Sequence, residues 1–197
     1  DERFGNLVND DYGAVAIPFQ NDMSFGLSIM RLGVDGIPDT RNALIDANGD
    51  GIIDINDDRL DYSRITEFSN QDWAFYLTFA KRQTEDFYWG INAKIIRRDL
   101  AEFSATGIGF DVGAYYTPLE NLFVGANLQD ATTTLVAWST GRNELVSPTL
   151  KVGAAYKVVE FLGGYIMPAL DLDIRFENRQ FASNFNVGPV SFDMHAG

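Results

Sequence analysis

Bulky apolar residues alternate one for one with small or polar residues through most of this chain. A period of two admits extended strands and excludes amphipathic helices. In the segment from Phe87, the residues Phe87, Trp89, Ile91, Ala93 and Ile95 share one face, and Tyr88, Gly90, Asn92 and Lys94 share the other. The same pattern predicts strands over 12–19, 23–34, 73–81, 107–114, 122–129, 150–157, 170–176 and 190–195. That makes about nine strands. A slip of one residue would exchange the two faces of any of them, so each register is strongly specified.

The connections alternate too. Gln20–Asp22, Arg82–Asp86, Thr117–Asn121 and Val159–Glu160 are short, whereas Asp35–Gln71, Asp130–Pro148 and Glu177–Pro189 are long, with Asp99–Ala105 intermediate. Short turns at one end and long loops at the other describe an up-and-down antiparallel sheet, the arrangement of outer-membrane barrels. A soluble sandwich also alternates. Three features favour a barrel. The expected strands run to about ten residues, against ~5–6 in soluble sheets. One face is bulky, and the other mixes Gly, Ala and Ser with isolated charges. Aromatics fall near strand ends (Tyr12, Phe19, Trp73, Phe87, Trp89, Tyr115, Tyr116, Tyr156 and Phe176), as in interfacial girdles. The expected fold is therefore all-β, an antiparallel up-and-down transmembrane β-barrel.

Composition narrows this further. The chain has 197 residues, enough for one β-domain over 1–197, and 46% are hydrophobic, which excludes a disordered chain. No apolar run approaches the ~20 residues of a membrane-spanning helix, but a spanning strand needs only about 9–11. The net charge of −13 argues against a nucleic-acid partner. There is no cysteine, hence no disulfide and no thiolate metal site. Asp1-Glu2-Arg3 opens without a signal peptide, which predicts a mature, truncated or cytosolic chain.

The acids concentrate in one place. Between Asp35 and Asp72 there are ten, against three bases. Within that 35–71 loop, Asp46-Ala-Asn-Gly-Asp-Gly-Ile-Ile-Asp-Ile-Asn-Asp57 has the spacing of a calcium loop. Asp46, Asn48 and Asp50 would supply side-chain oxygens, Ile52 its carbonyl, Asp54 a direct or water-borne contact, and Asp57 the closing carboxylate. Gly51 would allow the sharp turn. Asp57 stands where regulatory loops carry Glu, and its shorter arm predicts a structural Ca2+ site of the weak extracellular class, near ~10⁻⁴–10⁻³ M. The competing expectation is a plain solvated acidic turn.

No enzyme is expected. The only histidine, His195, shares a strand face with Ser191 and Asp193, but neighbours on one face rarely make a triad, because the base must reach both partners from outside the strand. No nucleotide loop, zinc signature or nucleophile elbow occurs. Lys94, Asp111, Lys151, Lys157, Asp171, Asp173 and Arg175 are candidates to line a lumen, where such charges pair with one another or are solvated.

Three segments carry a resemblance. Gly107-Ile-Gly-Phe-Asp-Val-Gly-Ala-Tyr-Tyr-Thr-Pro118 is followed by Leu122-Phe-Val-Gly-Ala-Asn-Leu-Gln129 and then by Ser147-Pro-Thr-Leu-Lys-Val-Gly-Ala-Ala-Tyr156. Together, about a quarter of the chain resembles the PorV/PorQ-like outer-membrane proteins of the FadL β-barrel superfamily. An Asn-Pro-Ala-Gly stretch usual near the start of that family is absent, and nine is an odd number for a single-chain barrel. The resemblance thus implies an internal piece of a larger barrel of roughly fourteen strands, incomplete at both ends. It also implies a bacterial outer-membrane location, with lipid around the barrel. The partner would be a hydrophobic small molecule in transport, or the sorting domain of a secreted protein in a secretion role. The alternative from another class is a soluble, calcium-stabilised β-domain for adhesion or binding.

Overall fold

The computed structural model describes residues 2–4, 8–47, 49, 51, 59–161, 163–177 and 182–197. Its strands are β1 (Glu2–Phe4), β2 (Val8–Phe19), β3 (Met23–Asp39), β4 (Leu44–Ile45), β5 (Arg59–Leu60), β6 (Thr66–Arg82), β7 (Phe87–Leu100), β8 (Phe103–Leu119) and β9 (Leu122–Gln129). There follow β10 (Thr134–Trp138), β11 (Asn143–Val146), β12 (Thr149–Tyr156), β13 (Val159–Phe161), β14 (Gly164–Ile166), β15 (Ala169–Arg175), β16 (Phe185–Val187) and β17 (Val190–Ala196). A 3-10 turn, Tyr62–Arg64, lies between β5 and β6.

Thirteen strands form one antiparallel sheet in the order β1-β2-β3-β6-β7-β8-β9-β12-β15-β17-β16, with β10 beside β8 and β11 beside β10. The nine strands read from the alternation are β2, β3, β6, β7, β8, β9, β12, β15 and β17, each beside its neighbour in sequence order. Among the described residues no pairing joins the β1 side to the β16 side. The sheet is up-and-down as expected, but open rather than closed into a barrel.

The register shows why the alternation matters. One row crosses all nine strands: Ile17, Phe25, Phe79, Ile91, Val112, Leu128, Leu150, Ile174 and Phe192. The adjacent row on the opposite face reads Pro18, Ser24, Ala80, Gly90, Gly113, Asn127, Lys151, Asp173 and Asp193. One step along each strand exchanges a wholly apolar row for a small and polar one.

Burial runs opposite to that of a water-soluble core. On the apolar face Leu27 is 57% exposed and Leu77 55%, whereas on the polar face Lys94 and Asp111 are 7% exposed and Asp173 5%. Among the described residues only Ala43, Ala105 and Val136 are buried hydrophobics. The apolar face is also bounded. Arg31, Trp73 and Arg97 form one paired row near the long-loop end, and Lys81 faces Trp89 near the short-turn end. Trp73 and Lys81 are eight residues apart on β6, or about 27 Å along the strand. A tilt of ~40° reduces that to about 20 Å of height, close to the ~25 Å apolar band of outer-membrane barrels.

Aromatics mark the short-turn margin of this face: Phe19, Phe25, Phe79 and Trp89 follow one another at ring-centroid distances of 6.1, 5.3 and 5.7 Å. Two expected girdle residues do not belong there. Tyr12 pairs with Met30 and Tyr115 with Tyr88, so both lie on the polar face. Their position near strand ends suggested a girdle, but strand parity decides the face.

The loops also depart from expectation. β3 runs on to Asp39 past an irregularity between Val34 and Ile37, and β6 begins at Thr66, so the strands absorb both ends of the expected 35–71 loop. The expected 130–148 loop contains the β10–β11 hairpin, and the expected short turn at Val159–Glu160 is a second small hairpin, β13–β14. The intermediate 99–105 connection shrinks to a turn at 101–102. At the β2–β3 turn, Asn21 and Asp22 have φ of 60° and 59°, a left-handed conformation that Asn and Asp tolerate best after glycine.

Candidate functional site

The expected lumen charges fall on the polar face and mostly gather into two clusters. In the first, Lys94 of β7 lies opposite Gly109 of β8, whose missing side chain leaves room for the lysine stem. A Cβ at Gly109 would meet Thr134 Oγ1, and Lys94 Cε at 2.9 Å. Lys94 Nζ is 2.7 Å from Asp111 Oδ1 and 2.6 Å from Asp130 Oδ1. The Asp130 N–H donates to Asp111 Oδ1 at 2.9 Å, and the Thr134 hydroxyl donates to the Asp130 carboxylate. One cation thus stands between two carboxylates, leaving one net negative charge in a largely buried site, which stabilises only when the remaining polar atoms are also bonded.

The cluster has a structural consequence. β9 and β10 lie along the same edge of β8, with Leu128 opposite Val112 and Leu135 opposite Ile108. Between them the chain leaves the ladder at Asp130 (φ 53°) and Thr133 (φ 59°). Lys94 and Asp111 hold that break in place. Asp130 and Thr134 were not anticipated. Asp130 follows Leu128 at a spacing that assigns it to the apolar face, and the left-handed backbone is what turns it inward. Its sequence signal is an Asp at a strand end, a residue type enriched at positive φ.

The second cluster joins β12, β15 and β17. Lys151 Nζ is 3.2 Å from Asp173 Oδ2, Arg175 Nη2 is 3.4 Å from the same oxygen, and Arg175 Nε is 3.4 Å from Asp193 Oδ2. Ser191 Oγ, fully buried, donates to the Glu177 carbonyl at 2.7 Å. Asp171 pairs in register with His195 on the same face. Lys157 joins neither cluster: it follows the end of β12, with Nζ 5.1 Å from the Tyr165 ring centroid. Ser191, Asp193 and His195 share a face, as their spacing implied; Ser191 bonds the Glu177 carbonyl and Asp193 pairs with Arg175.

At the long-loop end, Arg41 bridges two elements. It bonds Asp39 at 2.7 Å, at the tip of β3, and Glu102 at 2.5 Å, in the β7–β8 turn. Hydrogen bonds from the Arg41 guanidinium and backbone N–H hold the Asp39 carboxyl down at about 2. The Glu102 carboxyl is lowered by the same guanidinium.

Of the expected calcium ligands, Asp46 is described. Its carboxylate accepts from the N–H groups of Gly49 at 2.6 Å and Gly51 at 2.8 Å, and both glycines have positive φ, 77° and 79°. These bonds hold Gly49 and Gly51 against Asp46, as the first ligand of a calcium loop requires, and an acidic turn would do the same. Asn48, Asp50, Ile52, Asp54 and Asp57 lie outside the described residues. Among the described residues no group of three or more His, Asp or Glu is placed to hold a metal. Both ends of the segment are held. Leu44 pairs with Leu60 and Ile45 with Arg59, and the Asp61 N–H donates to the carbonyl of buried Ala43 at 2.7 Å.

No protein-family model, curated protein or solved structure matches this chain.

Proposed function

We propose that this chain forms wall strands of an outer-membrane β-barrel of the PorV/FadL type, acting in envelope transport or as a secretion accessory, without enzymatic activity. The inverted burial carries this reading. Nine strands spaced ~4.8 Å apart, with an apolar band ~20–25 Å tall, expose on the order of 1,000 Å² of contiguous apolar surface. Monomeric soluble proteins seldom exceed ~300–600 Å² in one patch. Lipid removes the cost of that face and explains why lysine and aspartate take the buried one. An open edge in lipid would strand backbone N–H and C=O groups, so the proposal includes closure through further strands. Calcium, bound by Asp46, Asn48, Asp50, Ile52, Asp54 and Asp57, would order the 35–71 region as a rigid surface loop. Its role would be electrostatic, holding carboxylates together that otherwise repel.

The test is cell fractionation, followed by electrophoresis of the outer-membrane fraction before and after boiling. Outer-membrane residence with a heat-dependent mobility shift is the expected result, and a soluble protein with no shift overturns it. Lipid or detergent bound inside the purified barrel would favour transport, and co-purified secreted proteins would favour the secretion role. The open sheet favours one other reading, a soluble calcium-stabilised β-domain for adhesion, which would stay in solution without detergent.

A further inference from the structure

Near the short-turn end the polar face holds a trough beside the second cluster, whose Lys151 and Asp173 form part of its lining. One register row crosses it: Tyr88, Tyr115, Gly125, Gly153, Asp171 and His195. Its floor is the two glycines. No atom lies within 4 Å of a Cβ built on Gly125, and the Asp171 carboxylate leans over Gly153. One wall is aromatic: Tyr115 and Phe123 stack at 6.4 Å with an interplanar angle of 16°, and Tyr88 adjoins Tyr115 at 6.0 Å. The opposite wall is Asp171 and His195. Asn127 and Lys151 close the upper end, and the concavity measures about 520 Å³. Three strand spacings separate Tyr115 from Asp171, or about 14 Å.

We propose that this trough is a saccharide-binding site. The near-parallel rings of Tyr115 and Phe123 supply an aromatic face, and sugar rings present flat C–H faces to such surfaces. Asp171 and Asn127 supply planar acceptor and donor groups suited to vicinal hydroxyls, and His195 adds a third polar contact. Lys151 is engaged with Asp173 at 3.2 Å, so the charge around the trough is mixed, which suits a neutral, hydroxyl-rich ligand better than an ion. The volume falls within the ~300–1,000 Å³ range of small-ligand sites and accommodates one or two sugar rings. This site goes beyond the transport or secretion role but rests on the barrel reading, whose own failure would show as no heat-dependent shift in the unsubstituted protein.

The test uses the protein in an amine-oxide detergent, since a maltoside headgroup would itself be a probe. Saturation-transfer NMR is run with maltohexaose, chitotriose and a mannotriose, and with laurate as an apolar competitor. We expect at least one oligosaccharide to receive saturation at ring protons and laurate not to displace it. Gly125→Leu places a side chain in open space and should abolish the signal while the fold, checked by the heat-dependent mobility shift, persists. Tyr115→Ala should also abolish it, and Asp171→Asn should weaken binding about tenfold. No transfer to any of the three sugars, transfer undiminished in Gly125→Leu, or laurate displacing the sugar would each overturn the proposal.

Discussion

Two ion clusters in this molecule share one charge pattern, a single cation between two carboxylates, in opposite surroundings. Lys94 stands between Asp111 and Asp130 at 2.7 and 2.6 Å, and Arg41 stands between Asp39 and Glu102 at 2.7 and 2.5 Å. The lysine side chain is 9% exposed and the arginine 60%. Geometry alone would rate them equal. Surroundings do not, because a charge in water already has partners, whereas a buried charge has only those the fold supplies. The inner cluster therefore fixes the strand break at Asp130, and the outer one tethers a loop at little gain in stability.

Lys94→Met should break this contrast most severely. It leaves Asp111 and Asp130 buried together without a cation, and the expected loss is ~3–5 kcal/mol in denaturant unfolding. Replacing all three members at once (Lys94→Met, Asp111→Asn, Asp130→Asn) should cost less than Lys94→Met alone. The reverse order would show that the two carboxylates stabilise the fold through contacts other than the lysine.

Next in size is Leu77→Arg. Facing lipid, it should cost ~2–4 kcal/mol and lower the yield of inserted protein, although Leu77 is already 55% exposed. A surface arginine in water would change stability by ~0.5 kcal/mol or less, so measured insertion separates the two. Two glycines on the polar face come third. Gly109→Val drives a side chain into Thr134 and Lys94 and should cost about 1–3 kcal/mol. Gly125→Val, with nothing within 4 Å of its Cβ, should be near neutral in the same unfolding assay.

The smallest effect belongs to the outer cluster. The Asp39 carboxyl sits at about 2, below its ordinary 3.8. A lowered pKa means the folded form is favoured by the ionised group, so the contribution is complete above about pH 4 and is lost as pH falls through about 2. Arg41→Gln should return the Asp39 titration, followed by carboxyl NMR, toward its ordinary value while global stability stays unchanged. A fall in global stability would place the exposed cluster on a par with the buried one.

These clusters also show what the sequence discloses. All nine main strands were legible, because a slip in any of them would reverse its faces, and the alternation from Phe87 to Ile95 left one choice. The pairing of Lys94 with Asp111 was accessible only as a shared face. Asp130 was hidden because left-handed backbone breaks the parity rule that reads the strand residues before it. Tyr12 and Tyr115 were misplaced because proximity to a strand end does not fix a face. The β10–β11 hairpin was missed because Thr134–Trp138 is too short to stand out from a loop. The calcium spacing is plain in the sequence, and of its ligands the structure describes Asp46.

The central claim is that the apolar face meets lipid and the polar face an interior. With no native cysteine, single cysteines can be introduced at positions 75 to 79 of β6, nitroxide-labelled and read by EPR in liposomes. The account predicts a period of two: collisions with dissolved oxygen dominate at 75, 77 and 79, and collisions with a water-soluble nickel chelate dominate at 76 and 78. Nickel accessibility at 75, 77 and 79 equal to that at 76 and 78 would contradict it.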